Sequence, residues 1–233
     1  MAEVLVFKGV DAGYGETHVL EGIDLSLAAG ESLSIIGRNG VGKSTLLETA
    51  MGHTTLHAGA ISFNGRRVDA TPPHERALAG LGYVPQEREI FPSLTVLENL
   101  EICARPGPWN AARVFELFPN LENRLANGGT QLSGGEQQML AIARALMTNP
   151  SVLLMDEPTE GLAPVIVQAL TQVLHRLRGE GGLSIVLVEQ NSRVALDFSE
   201  RTVVMDRGRI VFDGPSMRLR DDPDFLASLV AAQ

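Results

Sequence analysis

Gly37-Arg38-Asn39-Gly40-Val41-Gly42-Lys43-Ser44 fits the spacing G-x-x-x-x-G-K-[ST] of a phosphate-binding loop. Its glycines let the backbone curl until successive N–H groups point at one anion. Lys43 can then reach the β- and γ-phosphates of a nucleotide, and the Ser44 hydroxyl can ligate Mg²⁺. Residues 37–45, ending at Thr45, are the predicted cradle for Mg²⁺·ATP. A second acidic position follows at Val152-Leu153-Leu154-Met155-Asp156-Glu157, an apolar strand ending in two carboxylates. Asp156 suits Mg²⁺, directly or through water. Glu157 suits a general base that orients and polarises an attacking water. Strand-then-acid is a weak pattern alone and gains weight here because Mg²⁺·ATP requires a carboxylate across from Ser44.

Two further stretches carry polar groups at strategic places. Leu132-Ser133-Gly134-Gly135-Glu136-Gln137 is a small-residue loop entering a helix, and so a second anion nest. One phosphate site does not need two nests, and the second makes sense facing another subunit's nucleotide. Ser184 to Val188 reads as a strand buried on both faces, followed by Glu189-Gln190-Asn191. Ligands of open α/β sheets sit outside the carboxyl ends of the strands, where these three side chains would emerge.

The elements that must position these groups are legible in outline. Short apolar runs at 4–7, 23–27, 34–36, 152–155 and 184–188 read as strands, the first two separated by a turn-rich stretch around Gly13-Tyr14-Gly15. Asn64-Gly65 and Arg207-Gly208 mark hairpins. Thr71-Pro72-Pro73 reads as the start of a short helix to about Ala79, capped by the threonine. Helical patterns lie around 93–103 and 109–126, and QQMLAIARALM forms a helix ended by Asn149-Pro150. Ile166, Ala169, Leu170, Val173, Leu174 and Leu177 line one face of a helix over 164–178. Alternating strands and helices predict an α/β fold with a mostly parallel sheet. Residues 1–86 and 149–233 form its core, and 87–148 form an inserted helical subdomain.

The chain's 233 residues, 44% of them apolar, support a sizeable core. Nineteen basic against 28 acidic residues give a net charge of −9, with no electrostatic footprint for nucleic acid. The single Cys103 cannot form an internal disulfide, which fits a reducing compartment, and reads as a small buried hydrophobe. No run approaches the roughly 18 apolar residues of a membrane span, and the N-terminus lacks a signal-peptide pattern. His53 and His57, four apart, lack a third metal ligand and read as polar loop. Met139, Met147 and Met155 fit core filling, and Arg218, Arg220 and the acidic stretch after them read as a solvated tail.

The phosphate loop, the Asp156-Glu157 strand and LSGGE at 132–136 together resemble the ATP-binding cassette (ABC) ATPases, over essentially the whole chain. The resemblance implies a P-loop NTPase core with an antiparallel β subdomain and the helical insert. It casts Tyr14 as the aromatic that stacks on adenine, and Gln86 as the residue that contacts Mg²⁺ or water and senses the transporter. It also implies two subunits sandwiching two ATPs, so that Ser133, Gly134 and Gly135 serve the partner's ATP. More narrowly, GYVPQEREIFPSLTVLENL, DEPTEGLAP and LVEQN resemble the second ATPase subunit of branched-chain amino acid importers, and of urea and amide importers. That implies two membrane permease subunits, a solute-binding protein acting indirectly, and a place on the cytoplasmic face of a bacterial or archaeal membrane. Ile90, Phe91 and Leu94 are candidates for docking on the permease, with core of the helical insert as the equal alternative. A non-transport ABC protein and a non-catalytic nucleotide-binding module are the rival readings.

Two positions depart from the wider family. Gln190 stands where most members have a histidine on the γ-phosphate, and Ala163 where most have an aspartate. A glutamine amide can donate one hydrogen bond to a phosphate oxygen, but it cannot carry a proton or a positive charge. Losing a charge-assisted contact costs on the order of 1–3 kcal/mol, a roughly five- to 150-fold effect on rate. The departure predicts an asymmetric heterodimer in which this chain's own ATP site is the slower one, with a homodimer as the alternative.

Overall fold

The structure, a computed structural model, describes residues 2–230. Two sheets meet over one helix. The first is antiparallel, in the order β2 (Thr17–Ala28), β1 (Glu3–Tyr14), β4 (Thr55–Phe63), β5 (Arg66–Arg67). The second has the order β10 (Arg209–Pro215), β9 (Arg201–Asp206), β3 (Ser32–Ile36), β8 (Ser184–Glu189), β7 (Val152–Asp156), β6 (Leu81–Val84). Its five strands from β9 to β6 run parallel, and only β10 is antiparallel. The α/β class with a mostly parallel sheet and an antiparallel companion is therefore as expected.

The period-two alternation of strands sends alternate side chains to two cores. Leu153, Met155, Ile185 and Leu187 join the core beneath the helices. Leu154, Val186, Val188, Leu33 and Ile35 face the other way, with Leu5, Phe7, Leu25 and Leu27 of the first sheet. Between those two layers lies α1 (Lys43–Met51), whose Leu46 and Leu47 are almost fully buried. Each such leucine contributes roughly 1.5–3 kcal/mol, so the helix that leaves the phosphate loop is clamped from both sides. Its carboxyl end is closed by Arg76, a buried guanidinium from α2 (Pro73–Leu78) that donates to Thr49 O at 2.9 Å and Ala50 O at 2.8 Å. The cap expected at Thr71 falls instead on Pro72, and the Thr71 carbonyl accepts from Arg76 Nε.

The strands β1 and β2 are 12 residues each, far longer than the apolar runs that announced them. Register shifts at Phe7/Val10 and Val10/Ala12 interrupt the alternation that a sequence reading counts. His57 lies in β4, not in a loop, with its ring stacked on that of His18 at 3.9 Å. Both predicted hairpins form, with positive φ at Asn64, Gly65, Arg207 and Gly208.

The region 93–126 is more broken than its pattern suggested. It holds α3 (Val96–Glu101), α4 (Ala111–Leu117) and α5 (Pro119–Glu122), followed by the long α6 (Gly134–Met147). Pro119 ends the middle helix, because its ring and missing N–H cannot continue it. Asn149, in the left-handed region, closes α6 and uses its amide to hold the Arg105 and Trp109 carbonyls at 2.8 and 2.9 Å. Fully buried Asn99 does the same for the loop before α3. It accepts from Phe91 N–H at 2.9 Å and donates to the carbonyls of Phe91, Leu94 and Thr95.

The remaining helices are α7 (Pro164–Gly179), α8 (Ser192–Phe198), α9 (Ser216–Asp221) and α10 (Pro223–Val230). Leu170, Val173, Leu174 and Leu177 of the predicted face of α7 are buried, as are the three methionines. The expected solvated tail is exposed at Arg218, Arg220 and 221–224, with its two arginines anchored at one end. Arg218 stacks over Phe212 and Phe225, and Arg220 donates to Leu196 O. No helix among the described residues is long and apolar enough to cross a membrane.

Asn99→Leu would strand the Phe91 N–H and leave the Phe91, Leu94 and Thr95 carbonyls with only their backbone donors. It is expected to lower stability by about 1–3 kcal/mol in a denaturant titration, the cost of one buried unsatisfied group. A change under about 0.5 kcal/mol, within the usual range of surface substitutions, would show that the loop holds without it.

Candidate functional site

The phosphate loop spans the gap between β3 and α1, at the carboxyl edge of the parallel sheet. Gly42 is the residue before α1 and has φ +105°, a conformation L side chains rarely adopt, so the sharp entry to the helix depends on it. Arg38, Asn39 and Gly40 are exposed at the rim, Gly37, Val41, Gly42 and Thr45 are buried, and Ser44 is half-buried. The turn between β9 and β10 braces the loop from behind, with Gly208 N donating to Val41 O at 2.9 Å.

Lys43 is buried, and its ammonium is shared among three oxygens. It donates to Gly37 O at 2.9 Å and to Arg38 O at 3.0 Å, and pairs with Glu157 Oε1 at 3.0 Å. A buried ammonium needs such partners, because a lone one would shed its proton. Glu157 is held with φ +44°, rare for a residue with a side chain. Its N–H donates to Val188 O at 2.9 Å and its carbonyl accepts from Glu160 N at 3.0 Å, which fixes the strained turn.

Asp156, one residue earlier, is buried with Oδ1 lacking any hydrogen-bond partner. Burial pushes its carboxyl up to about 6, against a lowering influence from the Ser44 hydroxyl and an adverse one from Glu157. An orphaned carboxylate oxygen facing a hydroxyl at the mouth of a phosphate loop fits a hard cation such as Mg²⁺.

Tyr14 ends β1 with its ring half exposed above α1, and its hydroxyl donates to Glu48 and lies 3.4 Å from Thr45 Oγ1. Burial, then Glu48, raises its pKa. Gln86 follows β6 on the far side, where its amide donates to Glu160. The segment after it is tied to α6, with Arg88 Nε donating to Gln138 at 3.2 Å and Arg144 Nη1 to Glu89 O at 2.6 Å. The three docking candidates divide. Ile90 packs against the core, Leu94 is half-buried, and Phe91 is exposed with Arg144 4.4 Å over its ring.

Ser133 caps α6 through a reciprocal pair, Glu136 N to Ser133 Oγ at 3.3 Å and Ser133 N to Glu136 Oε2 at 2.8 Å. Gly134 is exposed. A Cβ on Gly135 would come 2.7 Å from Ile166 Cγ2, so glycine is what lets α6 approach α7. No hydrogen bond among the described residues joins Ser133 or Gly134 to residues 37–45. Ala163 precedes α7 without a side-chain cap, where an aspartate would have supplied one.

The polar end of β8 splits three ways. Gln190 is exposed, in a cleft shared with Glu157, Thr159 and Glu160. Asn191 is a helix cap, accepting from Arg193 N and Val194 N. Glu189 turns inward, is 2% exposed, and accepts from Thr159 N at 3.1 Å. The sequence pattern alone assigns Glu189 no role. Its signal was available, since strict alternation from buried Leu187 points position 189 to the same inner face.

This fold and site define a P-loop ATPase built as an ATP-binding cassette. A family model described as "ABC transporter" matches residues 20–160, and the chain belongs to that family of ATP-hydrolysing proteins. It is 39% identical over 225 residues to the high-affinity branched-chain amino acid transport ATP-binding protein BraG of Pseudomonas aeruginosa, covering 94% of this chain and 96% of that one. It is 36% identical over 221 residues to the probable branched-chain amino acid transport ATP-binding protein LivF of Archaeoglobus fulgidus, covering 93% and 94%. The lipopolysaccharide export system ATP-binding protein LptB of Escherichia coli K12 is 32% identical, covering 94% and 93%. Among solved structures, the ADP conformation of the ABC transporter cassette MJ1267 superposes with a TM-score of 0.81 at 27% identity, covering all of both chains. A dimeric post-hydrolysis state of the cassette MJ0796, bound to ADP and phosphate, gives 0.79 at 28% identity over 91% of this chain and 98% of that one.

The raised carboxyls have a consequence for stability. Asp156, from 3.8 to about 6, and Glu189, from 4.5 to about 7, keep their protons longer in the folded chain than in the unfolded one. Their contribution is thus most favourable at low pH and declines as pH rises through about 4 to 7. Asp156→Asn is expected to raise Tm at pH 7.5 without divalent metal, while abolishing ATP turnover. A D156N protein melting below wild type at that pH would contradict it.

Proposed function

We propose that this chain is the ATP-hydrolysing subunit of an importer for branched-chain amino acids or related small polar solutes, working on two membrane permease subunits. The convergence of Lys43, Glu157 and the orphaned Asp156 Oδ1 at one end of the phosphate loop carries the reading. Lys43 binds the β- and γ-phosphates of ATP in place of the Gly37 and Arg38 carbonyls, within the curl of residues 37–45. Ser44, Asp156 and Gln86 would hold Mg²⁺, which when bound neutralises charge on the phosphate oxygens. Glu157 orients water and takes its proton as the oxygen bonds to the γ-phosphorus and the bond to ADP breaks. Tyr14 offers its exposed ring to adenine, and Gln190 offers an amide N–H to the γ-phosphate.

Ser133, Gly134 and Gly135 serve the ATP of a second cassette subunit. Their place at the start of α6, with no hydrogen bond among the described residues from Ser133 or Gly134 to residues 37–45, supports that assignment. A heterodimer in which this chain's site is the slower follows from Gln190 and Ala163, and a homodimer is the alternative. Residues 1–86 with 149–233 act as the nucleotide-binding core and 87–148 as the insert that meets the permease, at the cytoplasmic face of a bacterial or archaeal membrane. The two branched-chain relatives, at 39% and 36%, favour that cargo over the lipopolysaccharide system at 32%. Urea and amides are the neighbouring alternatives, since the solute-binding protein and permeases select the solute.

Lys43→Ala is expected to abolish ATP binding by this chain, measured by calorimetry. Glu157→Gln should retain binding and lose about 10²- to 10⁴-fold in single-turnover hydrolysis, the usual worth of a general base. In the assembled transporter, Lys43→Ala should reduce uptake less than the equivalent change in the partner cassette. Equal losses would count against asymmetry, and unchanged binding by the Lys43→Ala protein against the site itself.

A further inference from the structure

Gln190 is the residue proposed to meet the γ-phosphate, yet the titratable group at this strand end is its neighbour Glu189. We propose that Glu189 is a positioning residue, whose carboxylate grips the Thr159 N–H and thereby fixes the loop carrying Glu157 against the strand end carrying Gln190. The inference rests on the reading of Glu157 as the residue that orients water.

Four observations support it. Glu189 is 2% exposed, so its carboxylate is inside the protein and not at the solvated rim. Its Oε1 accepts from Thr159 N at 3.1 Å, two residues after Glu157 in a turn that begins with the strained φ of +44°. On its other flank the chain passes directly into exposed Gln190, and the Asn191 backbone also favours the ionised carboxylate. Finally, Glu157, Thr159, Glu189 and Gln190 line one cleft, which reaches the phosphate loop through the pairing of Glu157 with Lys43. A displacement of Thr159 is passed along two peptide units to Glu157, and a strained turn has little alternative conformation in which to absorb it.

A purely structural acceptor could be a neutral amide. A carboxylate at this depth carries a desolvation cost that only a stronger, charge-assisted bond offsets. The charged groups facing Glu189 across the cleft are Glu157 and Glu160. From α7 come Pro164 and Val167, and from the start of α8 Asn191, none of them charged. Burial first, and Glu157 to a smaller extent, push the Glu189 carboxyl up to about 7. Protonation therefore weakens the grip on Thr159 as pH falls through about 7, and turnover should fall with it.

The test uses the assembled transporter with ATP, comparing wild type with E157Q, E189Q and E189D for kcat, ATP KM and the pH profile of kcat from about 6 to 8.5, a range that brackets the Glu189 titration. Wild type is expected to show an acidic limb near pH 7. E189Q should lower kcat roughly tenfold at pH 8 with KM within about twofold, the pattern of a lost transition-state interaction, and should lack the limb. E189D should keep the limb. A wild-type profile flat across this range, or an E189Q profile that superimposes on it while E157Q is inactive, overturns the proposal. An E157Q variant that turns over at the wild-type rate overturns instead the role given to Glu157.

Discussion

A buried ammonium governs this molecule. Lys43 is 4% exposed, and it is kept there by two carbonyls of its own loop and by Glu157. Each of those partners makes a demand on a different part of the fold. The carbonyls require the loop to curl, which requires glycine at 42, with φ +105°. The carboxylate requires β7 to end level with β3 and to turn sharply through a strained residue. The sheet order, with β8 between β3 and β7, sets that level. The two cores above and below then hold the strands in register, and α1 cannot tilt because both sheets grip it.

The site accumulates negative charge around that one cation. Asp156, Glu157 and Glu189 are all buried close together, and burial raises two of them toward neutrality. Such a cluster works against stability once pH rises above the raised values, and groups shifted in this way concentrate at functional sites. In the proposed reading the phosphate loop and these carboxylates are halves of one device that would hold Mg²⁺·ATP between them.

Much of this was readable from residue types. The loop at 37–44, the acids at 156–157 and the small-residue entry to α6 announce themselves by spacing, and the parallel sheet follows from apolar runs joined by helical patterns. Hidden were the features that depend on partners distant in sequence. Asn99 and Arg76 look like ordinary polar positions on short helices, and only burial reveals that they hold carbonyls of other segments. The β1–β2 ribbon was undercounted because bulges break its alternation, and the helices of the insert because Pro119 and the loop carbonyls divide one pattern into pieces. Glu189 is inconspicuous in the sequence because its neighbour Gln190 carries the more visible departure.

Gln190 itself is exposed in the cleft that Glu157 lines, with a side chain unable to carry charge. The central claim, that these groups converge on one ATP, is tested most directly by a structure of the Glu157→Gln variant with Mg²⁺·ATP bound. The account predicts the Lys43 ammonium and the Gln190 amide both on the γ-phosphate, with Ser44 and Asp156 on the cation. Gln190 turned away from the γ-phosphate, or a cation without Asp156 in its surroundings, would contradict it.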